Sequence, residues 1–265
     1  MATAFITSAT DGDTSGEAAA MAAFCASVNG LADTGMAATL DRLCAVGEFC
    51  IIAKGSALAE DPDKDRLVFL AMGAAKLVTR SLSSRLLAGV SCTDSTPPES
   101  YHSHILAFCL PGEMISVLRQ TDANFHLVAL TPLELVVFDA NSFLDIAQEN
   151  PAVIRQVLSR SLQALHRSRT RMIQLGHKSA RQRIADFLVS IAGRVCGCTE
   201  GRCEFALPMS RRDIGDSLGL TIETVSRQFT DLRDDGLIET RGRSGVVLTD
   251  IAALVQEAGR TSQLT

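Results

Sequence analysis

Three side chains in the last quarter of the chain have the types and spacing to read the edge of a base pair. On a helical wheel at about 100° per residue, Glu223, Ser226 and Arg227 share one arc. Ile222, Val225, Phe229 and Leu232 share the opposite one. Arginine donates bidentately to a guanine edge, a carboxylate accepts from the cytosine amino group, and a hydroxyl serves several edges. A helix with one apolar face and this polar face suits a major groove. The elements that must position it are legible around it. Ser210 followed by Asp213 has capping-box spacing and opens a helix presenting Ile214 and Leu218. Gly219 makes the turn, Thr221 caps the second helix, and Gly236 ends it. Leu237–Thr240 and Val246–Leu248 then flank a basic tip containing Arg241 and Arg243, which reads as a hairpin wing. Ser210, Arg211, Arg212, Thr221, Thr224, Arg241 and Arg243 are the expected phosphate contacts, which position a protein without reading sequence.

The whole chain has 265 residues, 46% apolar and 21% charged, a mixture that can build one large or two small cores. Fibrous and wholly disordered classes are excluded. With 30 Asp/Glu against 25 Lys/Arg, the chain cannot coat nucleic acid by bulk charge. The charge is unevenly divided. Residues 1–150 hold 18 carboxylates and 8 basic groups, 151–175 hold 5 arginines and no acid, and 176–265 hold 12 of each sign. Such asymmetry predicts different partners for different parts. No apolar run approaches the ~18 residues of a membrane span, and the first positive side chain is Arg42, so the start lacks the basic region of a signal peptide. A cytoplasmic chain with no membrane partner is expected, its eight cysteines reduced.

Residues 1–35 are rich in Ala, Thr, Ser and Gly and read as a mobile extension, with a short helix allowed at Ala18–Ser27. Residues 36–150 carry short apolar runs at Leu67–Leu70, Lys76–Val78, Ile105–Leu110 and Leu133–Phe138, separated by Pro, Gly and Asp turn signals. This pattern predicts a barrel or jelly roll. From Pro151 to Gly176 the period becomes helical, with Ile154, Leu158, Leu165, Met172 and Leu175 at heptad core positions as a two-helix dimer seam. A helix-turn-helix domain follows over 177–255, then a tail over 256–265.

The segment Leu207-Pro-Met-Ser-Arg-Arg-Asp-Ile-Gly-Asp-Ser-Leu-Gly-Leu-Thr-Ile-Glu-Thr-Val-Ser-Arg227 resembles the Crp/Fnr family of bacterial transcription regulators. The Glu-x-x-Ser-Arg pattern resembles its Fnr/FixK branch. The likeness is close over 178–250 and looser over 40–175, where Phe108-Cys-Leu-Pro-Gly-Glu113 resembles a turn of the family's sensor. It implies an α+β chain: an N-terminal β-roll like a cyclic-nucleotide-binding domain, a long dimerisation helix and a C-terminal winged helix-turn-helix. It further implies a homodimer on a TTGAT…ATCAA palindrome, working with RNA polymerase.

The family's inputs can be checked against the residues. Gly112 and Glu113 match part of a nucleotide pocket, but the phosphate-binding region reads Gln120–Asn124, Arg119 comes too early, and Asp122 repels a phosphate. For an iron–sulfur cluster, Cys44 and Cys50 reproduce one gap, while Cys25 lies far upstream. The later position near Leu135–Phe138 has no cysteine, leaving Cys92 or Cys109 as substitutes. Haem would use Tyr101-His-Ser-His104 with His126. No cofactor is therefore assigned, and a redox or oxygen input is favoured over a cyclic nucleotide. Cys196, Cys198 and Cys203 form a cluster that suits redox thiols, or zinc with a fourth ligand such as His177. Two other functions compete. One is a thiol enzyme using Cys109 with His104 as base, for which no oxyanion loop is present, so no catalytic residue is assigned. The other is a ligand-binding barrel whose helix-turn-helix contacts only protein.

Overall fold

The computed structural model describes residues 14–28, 34–59, 61, 63–80, 103–117 and 124–260, with backbone alone at 14, 34, 80, 103, 124 and 171–175. The chain divides into two units, residues 1–165 and 166–265.

The first unit is a β-roll of two antiparallel sheets. Its strands are β1 (Glu48–Ile52), β2 (Arg66–Met72), β3 (Ala75–Arg80), β4 (Ser103–Cys109), β5 (Met114–Val117), β6 (Asn124–Ala129) and β7 (Leu133–Asp139). One sheet has the order β1-β7-β2-β5 and the other β4-β3-β6. Strand alternation divides β7 between two cores. Leu133, Leu135 and Val137 join Val68, Leu70, Cys109 and Leu127. Val136 and Phe138 join Phe49, Phe69 and Phe143 on the other face. A strand buried on both faces shows little polar alternation, and Glu134 is the one polar residue within Leu133–Phe138. Gly73, at φ +93°, lets β2 turn into β3: a Cβ there would lie 2.2 Å from the Pro132 carbonyl oxygen.

Helices cover the second core. They are α1 (Thr14–Val28), α2 (Thr34–Val46), α3 (Ala140–Ala147) and the first turns of α4 (Pro151–His177). The expected mobile extension over 1–35 is corrected over 14–28. Phe24 of α1 is fully buried, its ring centroid 4.9 Å from Phe138 and 5.5 Å from Phe69. Ala20 and Val28 are buried beside it. Small residues let the helix lie close to the sheet while one aromatic ring fills the gap, so burial needs no stripe of large side chains. Residues 1–13 and 29–33 lie outside the described residues.

The residues of the seam expected along α4 are placed as follows. Ile154 packs on the roll's own helical core. Leu158 and Leu165 are exposed, and so is Leu162, which the heptad reading left out. The side chains of Met172 and Leu175 lie outside the described residues. Arg160 donates to the carbonyls of Gly112 and Ser27, so it reaches into its own unit. Burial pulls its guanidinium pKa below the usual value.

The second unit comprises α5 (Ala180–Val195), β8 (Cys203–Ala206), α6 (Arg211–Leu218), α7 (Ile222–Asp234), β9 (Ile238–Arg241), β10 (Gly245–Leu248) and α8 (Ile251–Glu257). Ser179 and Gln182 form a reciprocal capping box at the start of α5. Ile184, Phe187, Leu188 and Ile191 are buried at helical spacing, and α5 packs on α7 and α8. Asp186 is 5% exposed. It accepts from Lys178 Nζ at 2.9 Å and from Arg260 Nε at 2.6 Å. The expected tail over 256–265 is therefore part of the unit as far as Arg260, with Ala258 buried; 261–265 lie outside the described residues. No described helix is long and apolar enough to cross a membrane.

Candidate nucleic-acid interface

The helix-turn-helix is built by caps and one close approach. Ser210 Oγ accepts from the Asp213 backbone N–H at 3.1 Å, and Asp213 Oδ2 accepts from the Ser210 N–H at 2.9 Å. This satisfies donors that the start of α6 leaves open. Gly219 ends α6 at φ +64°, a conformation that costs other residues strain. Gly215 is the residue that sequence reading passed over. A Cβ there would stand 2.6 Å from the Leu220 carbonyl oxygen, and its own carbonyl accepts from the Leu220 N–H at 2.9 Å. Only a glycine lets the turn fold this tightly onto α6. Thr221 then caps α7, accepting from the Thr224 N–H at 3.2 Å.

The α7 helix buries Val225, Phe229 and Leu232 and exposes Glu223, Ser226 and Arg227. Ile222, placed by the wheel on the apolar side, is 40% exposed at the first turn. Glu223 has its pKa held below the usual carboxylate range, first by its own backbone N–H, then by the Thr221 hydroxyl and the nearby Arg212 charge. It is an anionic acceptor at neutral pH.

The seven expected phosphate contacts are not equivalent. Arg212 and Arg243 are exposed and have no ion-pair partner among the described residues. Arg211 turns the other way. Its guanidinium lies 3.1 Å from the centroid of the Phe229 ring, and burial lowers its pKa to about 10. It pins α6 to α7 from within the unit. Arg241 bonds both oxygens of Glu204 at 2.8 and 2.9 Å. Arg202 clamps Glu239 with two bonds of 3.0 Å. Arg241 also lies 3.6 Å from Glu239. Exposed pairs of this kind contribute little, so Arg241 can exchange these carboxylates for another anion at small cost. The hydroxyls of Ser210, Thr221 and Thr224 are engaged in the caps.

Two arginines absent from the expected site hold it in place. Arg183 of α5 donates to the Leu218 carbonyl at 3.0 Å, at the end of α6. Arg181 binds Glu257 at 2.7 Å and Asp235, the residue that caps α7, at 2.6 Å. All three partners lie far away in sequence, and no local pattern signals them.

The remaining candidate groups are placed as follows. Cys25 and Cys44 bring their sulfurs to 3.4 Å, a pairing that spacing did not reveal. Cys50 and Cys109 are buried in the roll's inner core, and Cys92 lies outside the described residues. His104 is exposed and pairs with Thr79, while His126 pairs with Val78, so strand alternation sends them to opposite faces. Tyr101, His102 and residues 118–123, on which the haem and nucleotide expectations rest, lie outside the described residues. Cys196, Cys198 and Cys203 hold their sulfurs within 4.8 Å of one another, and His177 does not join them. Burial, and hydrogen bonding with Cys198 and Cys196, push the Cys203 thiol up to about 12.

Residues 182–257 match the Crp-like helix-turn-helix domain. The transcriptional activator protein FnrL of Cereibacter sphaeroides is 34% identical over 168 residues, 62% of this chain and 68% of FnrL. The chain belongs to the Crp/Fnr family. As a Crp/Fnr protein it is a DNA-binding transcription regulator with a β-roll and a winged helix-turn-helix. The nitrogen fixation regulation protein FixK of Bradyrhizobium diazoefficiens is 35% identical over 134 residues, 51% of this chain and 56% of FixK. The structure of FixK2 from Bradyrhizobium japonicum superposes with a TM-score of 0.65 at 25% identity, covering 82% of this Crp/Fnr chain and all of FixK2.

Proposed function

We propose that this protein is a homodimeric regulator that binds a TTGAT…ATCAA palindrome through Glu223, Ser226 and Arg227. The observation that carries the reading is the exposure of all three on α7 while Val225, Phe229 and Leu232 are buried on its other side. The half-site holds a single G·C pair. Arg227 suits the guanine O6 and N7 acceptors, and Glu223 suits the cytosine amino donor. Arg212 and Arg243, with Arg241 once it leaves Glu204, supply phosphate contacts. The caps of Ser210, Thr221 and Thr224 orient the backbone there. Exposed Leu158, Leu162 and Leu165 on α4 supply apolar surface for a second copy. RNA polymerase is the protein partner, and no catalytic group is assigned.

The test is a titration of the full chain on the palindrome, on a duplex with one half-site scrambled, and on one with both scrambled. A dimer reading two half-sites loses affinity at each step, by ~1–3 kcal/mol per altered pair. Equal binding to all three would end the reading.

Redox input is favoured by one observation, the 3.4 Å separation of the Cys25 and Cys44 sulfurs. Peroxide oxidises one thiol to a sulfenic acid, releasing water. The second thiol then displaces a second water and closes the disulfide. The bond would tie α1 to α2 over the core that α4 enters. Burial, followed by hydrogen bonding to Cys25, pushes the Cys44 thiol up to about 12. Mass spectrometry of peroxide-treated protein should find this pair joined. Exclusive oxidation elsewhere would remove the idea.

A further inference from the structure

One group of three metal-ligating side chains is gathered among the described residues, and the reading of DNA does not use it. Cys196 caps the end of α5, its N–H bonded to the Ala192 carbonyl at 2.9 Å. Gly197 at φ +66° and Gly201 at φ +69° then fold the loop back on itself. Cys203 opens β8 and pairs with Leu248 of β10. The Ile251 N–H binds the Gly201 carbonyl at 2.9 Å. Regular structure therefore fixes both ends of the loop, and three sulfurs converge between them.

We propose that Cys196, Cys198 and Cys203 form a zinc site of three thiolates, with water as the fourth ligand. Zinc binds sulfur at about 2.3 Å, which sets tetrahedral sulfurs about 3.8 Å apart. Sulfurs already within 4.8 Å of one another need contract by an ångström or less. Thiolates are soft ligands and select zinc over calcium or magnesium. Exposure is graded across the cluster: Cys203 is buried, Cys198 half-buried and Cys196 exposed. The inner sulfur is anchored and the outer one lies on the entry path. No fourth His, Cys, Asp or Glu joins the group among the described residues, which leaves the last position to solvent. A disulfide would use two of the three sulfurs, whereas a cation engages all three. The bound ion would pin the 196–203 loop to β8, the strand that carries Glu204 and so holds Arg241 of the wing. Binding requires the three thiols to release their protons as zinc enters.

The full chain, reduced and stripped of metal without air, would be titrated with zinc against a chromophoric chelator. Cadmium, read by its sulfur-to-metal absorbance, reports the number of thiolates. One equivalent of zinc per chain is expected, with three thiols becoming unreactive to a thiol reagent. The Cys196/Cys198/Cys203→Ser triple variant should lose that equivalent while keeping Cys25 and Cys44. Because Cys203 is buried, Cys198→Ser is the milder companion. With circular dichroism unchanged, it should bind zinc more weakly than the ~10–100-fold that loss of an outer partner costs. Zinc binding unchanged in either variant would overturn the proposal. So would a failure to protect three thiols, or peroxide joining two of the three at the same rate with and without zinc. Each readout is independent of whether the protein binds the proposed palindrome.

Discussion

Glu223, Ser226 and Arg227 stand in solvent on the winged unit, whereas two thiols and a guanidinium of the roll are enclosed. Cys50 and Cys109 are buried, and Arg66 is 6% exposed with its guanidinium on the Ala59 carbonyl. The same contrast holds for packing. In α7 a polar face and an apolar face are separated residue by residue. In the roll, β7 buries apolar residues on both faces, and six of the fifteen residues of α1 are alanine. A surface meant to meet a partner shows its pattern in a local stretch of sequence. A core assembled from distant elements does not.

The first way to break this comparison is to remove the ring that ties α1 to the roll. Phe24→Ala should destabilise the first unit by ~3–5 kcal/mol, read by denaturant unfolding. A loss below ~1 kcal/mol would return α1 to the status of a loose extension. The matching break in the winged unit is Asp186→Ala. It leaves Lys178 and Arg260 without their buried partner, at a cost of about 3 kcal/mol, the low end for such pairs because Arg260 is partly exposed. This pair also sets a pH dependence. Burial raises the Asp186 pKa, but hydrogen bonds from Arg260 and Lys178 outweigh it and hold the carboxyl below its usual value. A lowered carboxyl pKa stabilises the fold above the unfolded value of ~3.9, and that stability is lost as pH falls through the folded value. Acid unfolding of the winged unit should therefore steepen below about pH 4, and Asp186→Asn should flatten it.

Much of the winged unit was legible. The capping box at Ser210, the turn at Gly219, the cap at Thr221 and the extent of α7 follow from side-chain types at fixed offsets. Individual arginines were not. Arg211 and Arg212 are neighbours with the same charge, yet one lies on Phe229 and the other in solvent. The choice depends on where a ring 18 positions on is placed. Strands of the roll were legible as runs, but their pairing was not, because β1 pairs with β7 across most of the unit. A short helix at Ala18–Ser27 was legible, but its packing on the roll was not, because small residues give a helix no apolar stripe to detect.

The arginine pair offers a smaller and sharper test. Arg212→Ala should weaken binding to all DNA sequences alike and lower the salt slope by about 1. Arg211→Met should leave the slope unchanged and shift stability by less than ~1 kcal/mol. Equal salt effects from both would put Arg211 at the phosphates after all. The smallest effect is expected from Glu204→Gln, which leaves Arg241 with Glu239 alone at 3.6 Å and changes stability by no more than ~1 kcal/mol, with slightly tighter binding at low salt.

The most direct measurement is a double-mutant cycle between Arg227 and the G·C pair of the half-site. Arg227→Ala, and replacement of that pair by A·T, should each cost ~1–3 kcal/mol, and the two together little more than either alone. Costs that simply add would show that Arg227 does not read that pair, and the assignment of α7 as the reading helix would be contradicted.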